Sequence, residues 1–110
     1  MDDLTNEQKA LLTSMYKEIL SRQPALSMER ANYFESSDQL IELFSLSLSS
    51  SYVSDLCWKL YAKEYIMCSR GDNLANNISL SDKAIICMES KFKNGLKDVL
   101  SFLSNFSGFF

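Results

Sequence analysis

The chain has 110 residues, 46% of them hydrophobic and 12% aromatic, with a formal net charge of −3 and no histidine. That much apolar material at the length of one domain builds a single packed core and excludes a disordered chain. The lack of histidine excludes imidazole metal sites, Ser-His-Asp triads and Cys-His pairs, while the acidic balance opposes the phosphate neutralisation on which nucleic-acid affinity draws.

With 3 Gly and 1 Pro the sequence has few turn formers, so helices should dominate. The opening MDDLTNEQKALL has acids where a signal peptide needs a basic region, and no run approaches the roughly 20 apolar residues of a membrane span. The aromatic tail of Phe106, Phe109 and Phe110 is too short to anchor the chain alone. Cys57, Cys68 and Cys87 are odd in number and lack paired CxxC spacing, which reads as reduced thiols. The expectation is a cytoplasmic protein with no membrane partner and no cofactor.

From Thr5 to Arg22, Ala10, Leu11, Leu12, Met15, Ile19 and Leu20 recur at helical spacing, with Pro24 as the stop. Ser27 followed by MERANYF reads as a shorter second helix. Leu40, Ile41, Leu43 and Phe44 follow Ser37 or Asp38 as a third, about two turns long. The serines of SLSLSSS compete with backbone hydrogen bonds and favour a turn, with Ser49 or Ser50 as the next cap.

A fourth helix from Ser50 to Lys63 sets Val53, Leu56, Cys57, Leu60 and Tyr61 on one apolar face, with Trp58 on its flank and Tyr52 as the better exposed aromatic. EYIMCS, RGDNLAN and NISLS then read as strand, turn and strand, a β-hairpin over Glu64 to Ser81. Ser81 opens a long terminal helix in which Ile85, Phe92, Val99 and Phe106 recur every seven residues beside Met88, Leu96, Phe102 and Leu103. Gly95 marks a bend or a close helix contact within it. No linker divides the chain, so residues 1–110 form one domain.

Helix, serine-rich turn, helix, strand, polar turn, strand and helix is the order of a winged helix-turn-helix. The segment QLIELFSLSLSSSYVSDLCWKLYAKEYIMCSRGDNLANNISLSDKAI resembles the core of MarR-type and YjcQ-type winged-helix proteins, small bacterial or phage-derived families. Val53, Leu56 and Leu60 keep the rhythm of their recognition helix. Glu64, Tyr65 and Ile66 replace the lead into the wing, and Leu80, Ser81, Asp82, Lys83 and Ala84 match the motif that closes it. The fold class implied is mainly α with a small β-hairpin, a winged helix-turn-helix core over 37–85 flanked by an N-terminal helix and a long C-terminal helix over 86–110.

The resemblance implies a transcriptional regulator that binds double-stranded DNA as a homodimer. The fourth helix would enter the major groove while the hairpin tip at Arg70 to Asn77 touches the backbone or minor groove. Ser49, Ser50, Ser51, Tyr52 and Ser54 would offer hydroxyls, Lys59, Lys63 and Arg70 charge, and Asn73 a contact at the tip. Helix capping accounts for Ser49 to Ser51 equally well. The terminal stripe of Ile85, Met88, Phe92, Val99, Phe102 and Phe106 outruns the surface available to cover it, and a second copy would supply the cover, or else the helix from Thr5 to Arg22 folds back and buries the stripe within a monomer. Between Ser45 and Asn77 the only cations are Lys59, Lys63 and Arg70, against Asp55, Glu64 and Asp72. That balance leans toward the alternative, a winged-helix interaction module, adaptor or inhibitor, that binds protein and not DNA, whereas the serine-rich helix and the wing lean toward the DNA-binding regulator.

An enzyme is not expected. Asp2, Asp3, Asp38, Asp72 and Asp82 have no spacing that converges them, and no glycine-rich phosphate loop or nucleophile elbow is present. Cys68, beside the wing, is the one candidate redox thiol. Lys91, Lys93 and Lys97 read as a solvated face.

Overall fold

The computed structural model describes residues 1–106 and 108–109; Phe110 of the aromatic tail lies outside them. Six helices and three short strands follow one another as α1 (Asn6–Arg22), α2 (Met28–Ala31), β1 (Phe34–Ser36), α3 (Ser37–Phe44), α4 (Ser50–Ala62), β2 (Ile66–Gly71), β3 (Leu74–Leu80), α5 (Asp82–Lys91) and α6 (Leu96–Leu103). A single turn of 3₁₀ helix, Ser104–Phe106, closes the described chain. The fold is mainly helical with a small antiparallel sheet.

Side-chain caps set most of the helix starts. Thr5 Oγ1 accepts from the Gln8 N–H at 3.2 Å while Gln8 Oε1 accepts from the Thr5 N–H at 3.0 Å, a reciprocal box at the start of α1. Ser36, one residue before the positions the sequence suggests, caps α3, and Ser49 and Ser81 cap α4 and α5. Ser45, in the left-handed region at φ 52°, ends α3 and turns the chain toward α4.

The sheet order is β1-β3-β2, with Phe34 opposite Ile78 and Ile66 opposite Leu80. Asp72 and Asn73, at φ 52° and 62°, make the two-residue hairpin loop between the Gly71 and Leu74 partners. Positive φ at both central residues is the geometry whose twist matches that of the flanking strands. Asn76 Nδ2 ties the hairpin down by donating to Gly71 O at 2.7 Å and Leu74 O at 3.1 Å. While β2 advances from Met67 to Ser69, β3 runs from Ser79 to Asn76, so the extra residue sits in β3, where Asn77 has φ 53°.

Two elements depart from the sequence expectation. MERANYF does not continue as a helix to Phe34; α2 stops at Ala31, and Phe34 opens a strand. The free edge of β3 takes it. Asn32 donates from Nδ2 to Leu80 O at 2.9 Å and accepts from the Leu80 N–H at 2.8 Å, and the Tyr33 hydroxyl donates to Asn77 Oδ1 at 2.9 Å. These bonds join residues more than forty positions apart in sequence, so local spacing gives no sign of them.

The long C-terminal helix over 86–110 is also corrected. α5 ends at Lys91 and α6 begins after Gly95, whose φ of 66° and ψ of −133° only glycine adopts readily. The break folds α6 back onto α1, which is buried along Ala10 to Tyr16 and at Ile19. The expected interface stripe is therefore interior: Met88 and Val99 are fully buried, and Phe92 stacks on Tyr16 with ring centroids 6.3 Å apart. Ile85, Phe102 and Phe106 pack half-buried against the same core. The first helix thus supplies, within one chain, cover that the sequence expectation assigns to a second copy. Among the described residues no helix is long and apolar enough to cross a membrane.

Candidate functional site

α4 lies against α3 on one side and the hairpin on the other, and its outward face is where the sequence placed its candidate contacts. Ser54 is not on that face. It is 2% exposed, its Oγ lies 2.8 Å from the Oγ of fully buried Ser37, and it accepts from the Ala75 N–H at 3.3 Å. Helical periodicity turns it inward with Val53 and Cys57, and a single hydroxyl joins α3, α4 and β3.

Other candidates are held by partners within the chain. Lys63 Nζ donates to Asp3 O and, at 3.1 Å, to Gln8 Oε1, which ties the C-terminal end of α4 to the N-terminal segment. The Tyr52 hydroxyl donates to Glu7 Oε1, an interaction that raises the phenol's pKa because ionisation would set two negative charges together. Ser50 Oγ donates to Asp38 Oδ1 at 2.5 Å. Ser49 is the helix cap, its Oγ accepting from the Tyr52 N–H at 3.2 Å and lying 3.4 Å from Ser51 Oγ. Asn73 is exposed at the hairpin tip in its left-handed turn.

Lys59 and Arg70 are exposed, and the Arg70 guanidinium sits 4.6 Å from the centroid of the Trp58 ring. Tyr61 meets the same indole edge-on at 6.5 Å. Tyr61 and Met67 are 46% and 55% exposed, and both line a groove of about 440 Å³ with Ala62, Glu64, Ile66 and Ser81. The sequence places Trp58 on the flank of α4 and Tyr61 on its apolar face and gives no role to Met67; the structure corrects Tyr61, which turns out to solvent at the edge of that face. The signal was available in part, because Tyr61 lies three residues after Trp58, one helical turn along.

Three acids lie near this cluster: Glu64 lines the groove, Asp55 is exposed one helical turn before Trp58, and Asp72 is exposed at the hairpin tip two residues after Arg70. Glu35, Asp38 and Glu42 line a separate depression at β1 and α3. Among the described residues the one ion pair joins Arg22 Nε to Glu18 Oε1 at 3.4 Å, far from these carboxylates in sequence, so none of them is neutralised by an ion pair.

Burial pushes Cys57 up to about 12, and burial also raises Cys68, with the Arg70 charge opposing as the smaller effect. A raised pKa disfavours the Cys68 thiolate and so counts against a redox role there. Among the described residues no three cysteine or carboxylate side chains converge into a cation-binding group.

Known proteins add no neighbour to this geometry. No family model matches the chain, and no curated protein or solved structure matches it.

Proposed function

We propose that the chain is a winged helix-turn-helix module, of the kind seen in the MarR-type and YjcQ-type families it resembles, whose α4 and hairpin face binds a protein. The order of one strand before the helix pair and two after it, with β3 central, supports the winged-helix reading. α3 and α4 are its helix pair, and β2 with β3 its wing.

One observation carries the choice of partner. The centre of the face is Trp58, half-buried under Arg70, with exposed Tyr61 edge-on to it and exposed Met67 sharing a groove with Tyr61. Tryptophan, tyrosine, methionine and arginine are the residue types enriched where protein interfaces concentrate their binding energy. Asp55, Glu64 and Asp72 on the same elements repel phosphates and suit a partner with an apolar patch bordered by Lys or Arg.

DNA binding is the second reading, favoured by the exposure of Lys59 and Arg70 on the helix and wing that would meet a duplex. With two cations against Asp55 and Asp72 on the same elements, a duplex gains little counterion release. A mobility-shift titration with random and genomic duplexes from low to physiological salt separates the readings. The protein-binding reading expects no sequence-selective complex at physiological salt. A selective complex whose salt slope falls by roughly one unit with Lys59→Ala and again with Arg70→Ala would replace it with the DNA reading.

A further inference from the structure

α6 carries more apolar surface than its packing uses. Val99 is fully buried and Leu103 nearly so, yet Leu96 and Leu100 remain 42% and 51% exposed. At about 100° per residue these two leucines lie one turn apart on the flank of the buried stripe, and Lys97 follows them on the outward side. Lys93 stands exposed just before the helix. From Lys91 to Lys97 the chain holds three lysines and no acid, within a protein of net charge −3. The following acid, Asp98, is turned back to the helix start, accepting from the Asn94 N–H at 3.0 Å and from Asn94 Nδ2 at 3.4 Å. Lys91 lies 4.9 Å from the Phe102 ring centroid, which keeps its charge at the same end of the molecule.

We propose that Leu96, Leu100, Lys93 and Lys97 form a docking face for an anionic lipid bilayer, the leucines entering the headgroup boundary and the lysines meeting lipid phosphates. Interfacial binding combines a few apolar side chains with basic residues near an anionic surface and needs no spanning helix. Area selects this occupant over a protein: two partly exposed leucines fall far short of the roughly 800 Å² per partner that a stable protein interface buries. Charge selects it over a second copy. A two-fold contact that sets Leu96 against Leu100 also crowds the Lys97 side chains of the two copies, whereas a bilayer of acidic lipids neutralises them.

The test is co-sedimentation of the full chain with phosphatidylcholine vesicles with and without phosphatidylserine, at low and physiological salt. The expected result is binding to the serine-containing vesicles that weakens with salt and is absent on phosphatidylcholine alone. Lys93→Gln with Lys97→Gln should lower the partition coefficient by about thirtyfold, from about fivefold per lysine near such a surface. Leu96→Ser with Leu100→Ser should weaken binding while its salt dependence persists. All four side chains are exposed or flank the buried stripe, and circular dichroism of each variant checks the fold. Wild-type protein that stays in the supernatant at low salt, or a lysine variant that binds as well as wild type, overturns the proposal; the first result would leave the face to an acidic protein.

Discussion

Ser54→Ala removes one hydroxyl from the point where α3, α4 and β3 meet. The loss leaves the Ala75 N–H and the Ser37 hydroxyl, which is fully buried, without their shared partner. A buried donor or acceptor left unsatisfied costs about 1–3 kcal/mol, and because the Ser37 hydroxyl can rotate toward another acceptor, the net cost should be about 2–3 kcal/mol. For a chain of this size each kcal/mol moves Tm by roughly 4 °C, so thermal melts followed by circular dichroism should shift down by about 8–12 °C. Urea titration should show a lower midpoint at unchanged slope. Because Ser37 and Ser54 share one bond, Ser37→Ala combined with Ser54→Ala should cost less than the sum of the single changes by at least about 0.5 kcal/mol. A Ser54→Ala protein within about 0.5 kcal/mol of wild type, with additive behaviour in the double variant, would refute the buried bond and return Ser54 to the surface face.

Val99→Glu should abolish cooperative unfolding, since it buries a charge in a fully buried site; a folded variant that changes only its sedimentation mass would show that Val99 sits between subunits instead. Gly95→Ala should cost about 1–3 kcal/mol through backbone strain alone, because an added Cβ meets nothing within 4 Å; a neutral effect in urea titration would contradict the φ of 66°. Thr13→Val should raise the urea midpoint, because Thr13 Oγ1 is buried with no hydrogen-bond partner and the isosteric change removes that penalty; a lowered midpoint would mean the hydroxyl is satisfied. Stability should also fall as pH rises. Cys57 and Tyr65 both titrate near 12 in the fold, above their unfolded values of about 8.5 and 10, so the unfolded chain loses its protons first and alkali favours it between those limits. Cys57→Ala should flatten the urea midpoint between about pH 8.5 and 10.5, and an unchanged slope would place the thiol in contact with solvent.

Local chemistry made some elements readable from the sequence and left others hidden. Thr5 with Gln8, Ser49 and Ser81 are caps whose bonds span three residues, and Asp72-Asn73 is a turn defined by its own dihedral angles, so spacing and residue type suffice for all of them. β1 was hidden because MERANYF has acceptable helical composition, and only the distant edge of β3 turns Phe34 to Ser36 into a strand. Gly95 looked like a tolerated glycine in a long periodic helix. Its break is rewarded only by α1, whose buried surface needs α6 as cover. The candidate contacts divide the same way: Ser54, Lys63 and Tyr52 find partners 21, 55 and 45 positions away, which no local pattern encodes.

Site-specific photo-crosslinking tests the interaction face most directly. A photoreactive side chain at Met67, in the groove with Tyr61, is compared inside the source cells with one at Ser101, exposed on α6, the helix that packs on α1. The account expects a discrete protein adduct from position 67 that is absent at position 101 and lost when Trp58→Ala or Arg70→Ala is added. Adducts to nucleic acid from position 67, or protein adducts equal at both positions and indifferent to Trp58 and Arg70, would contradict it.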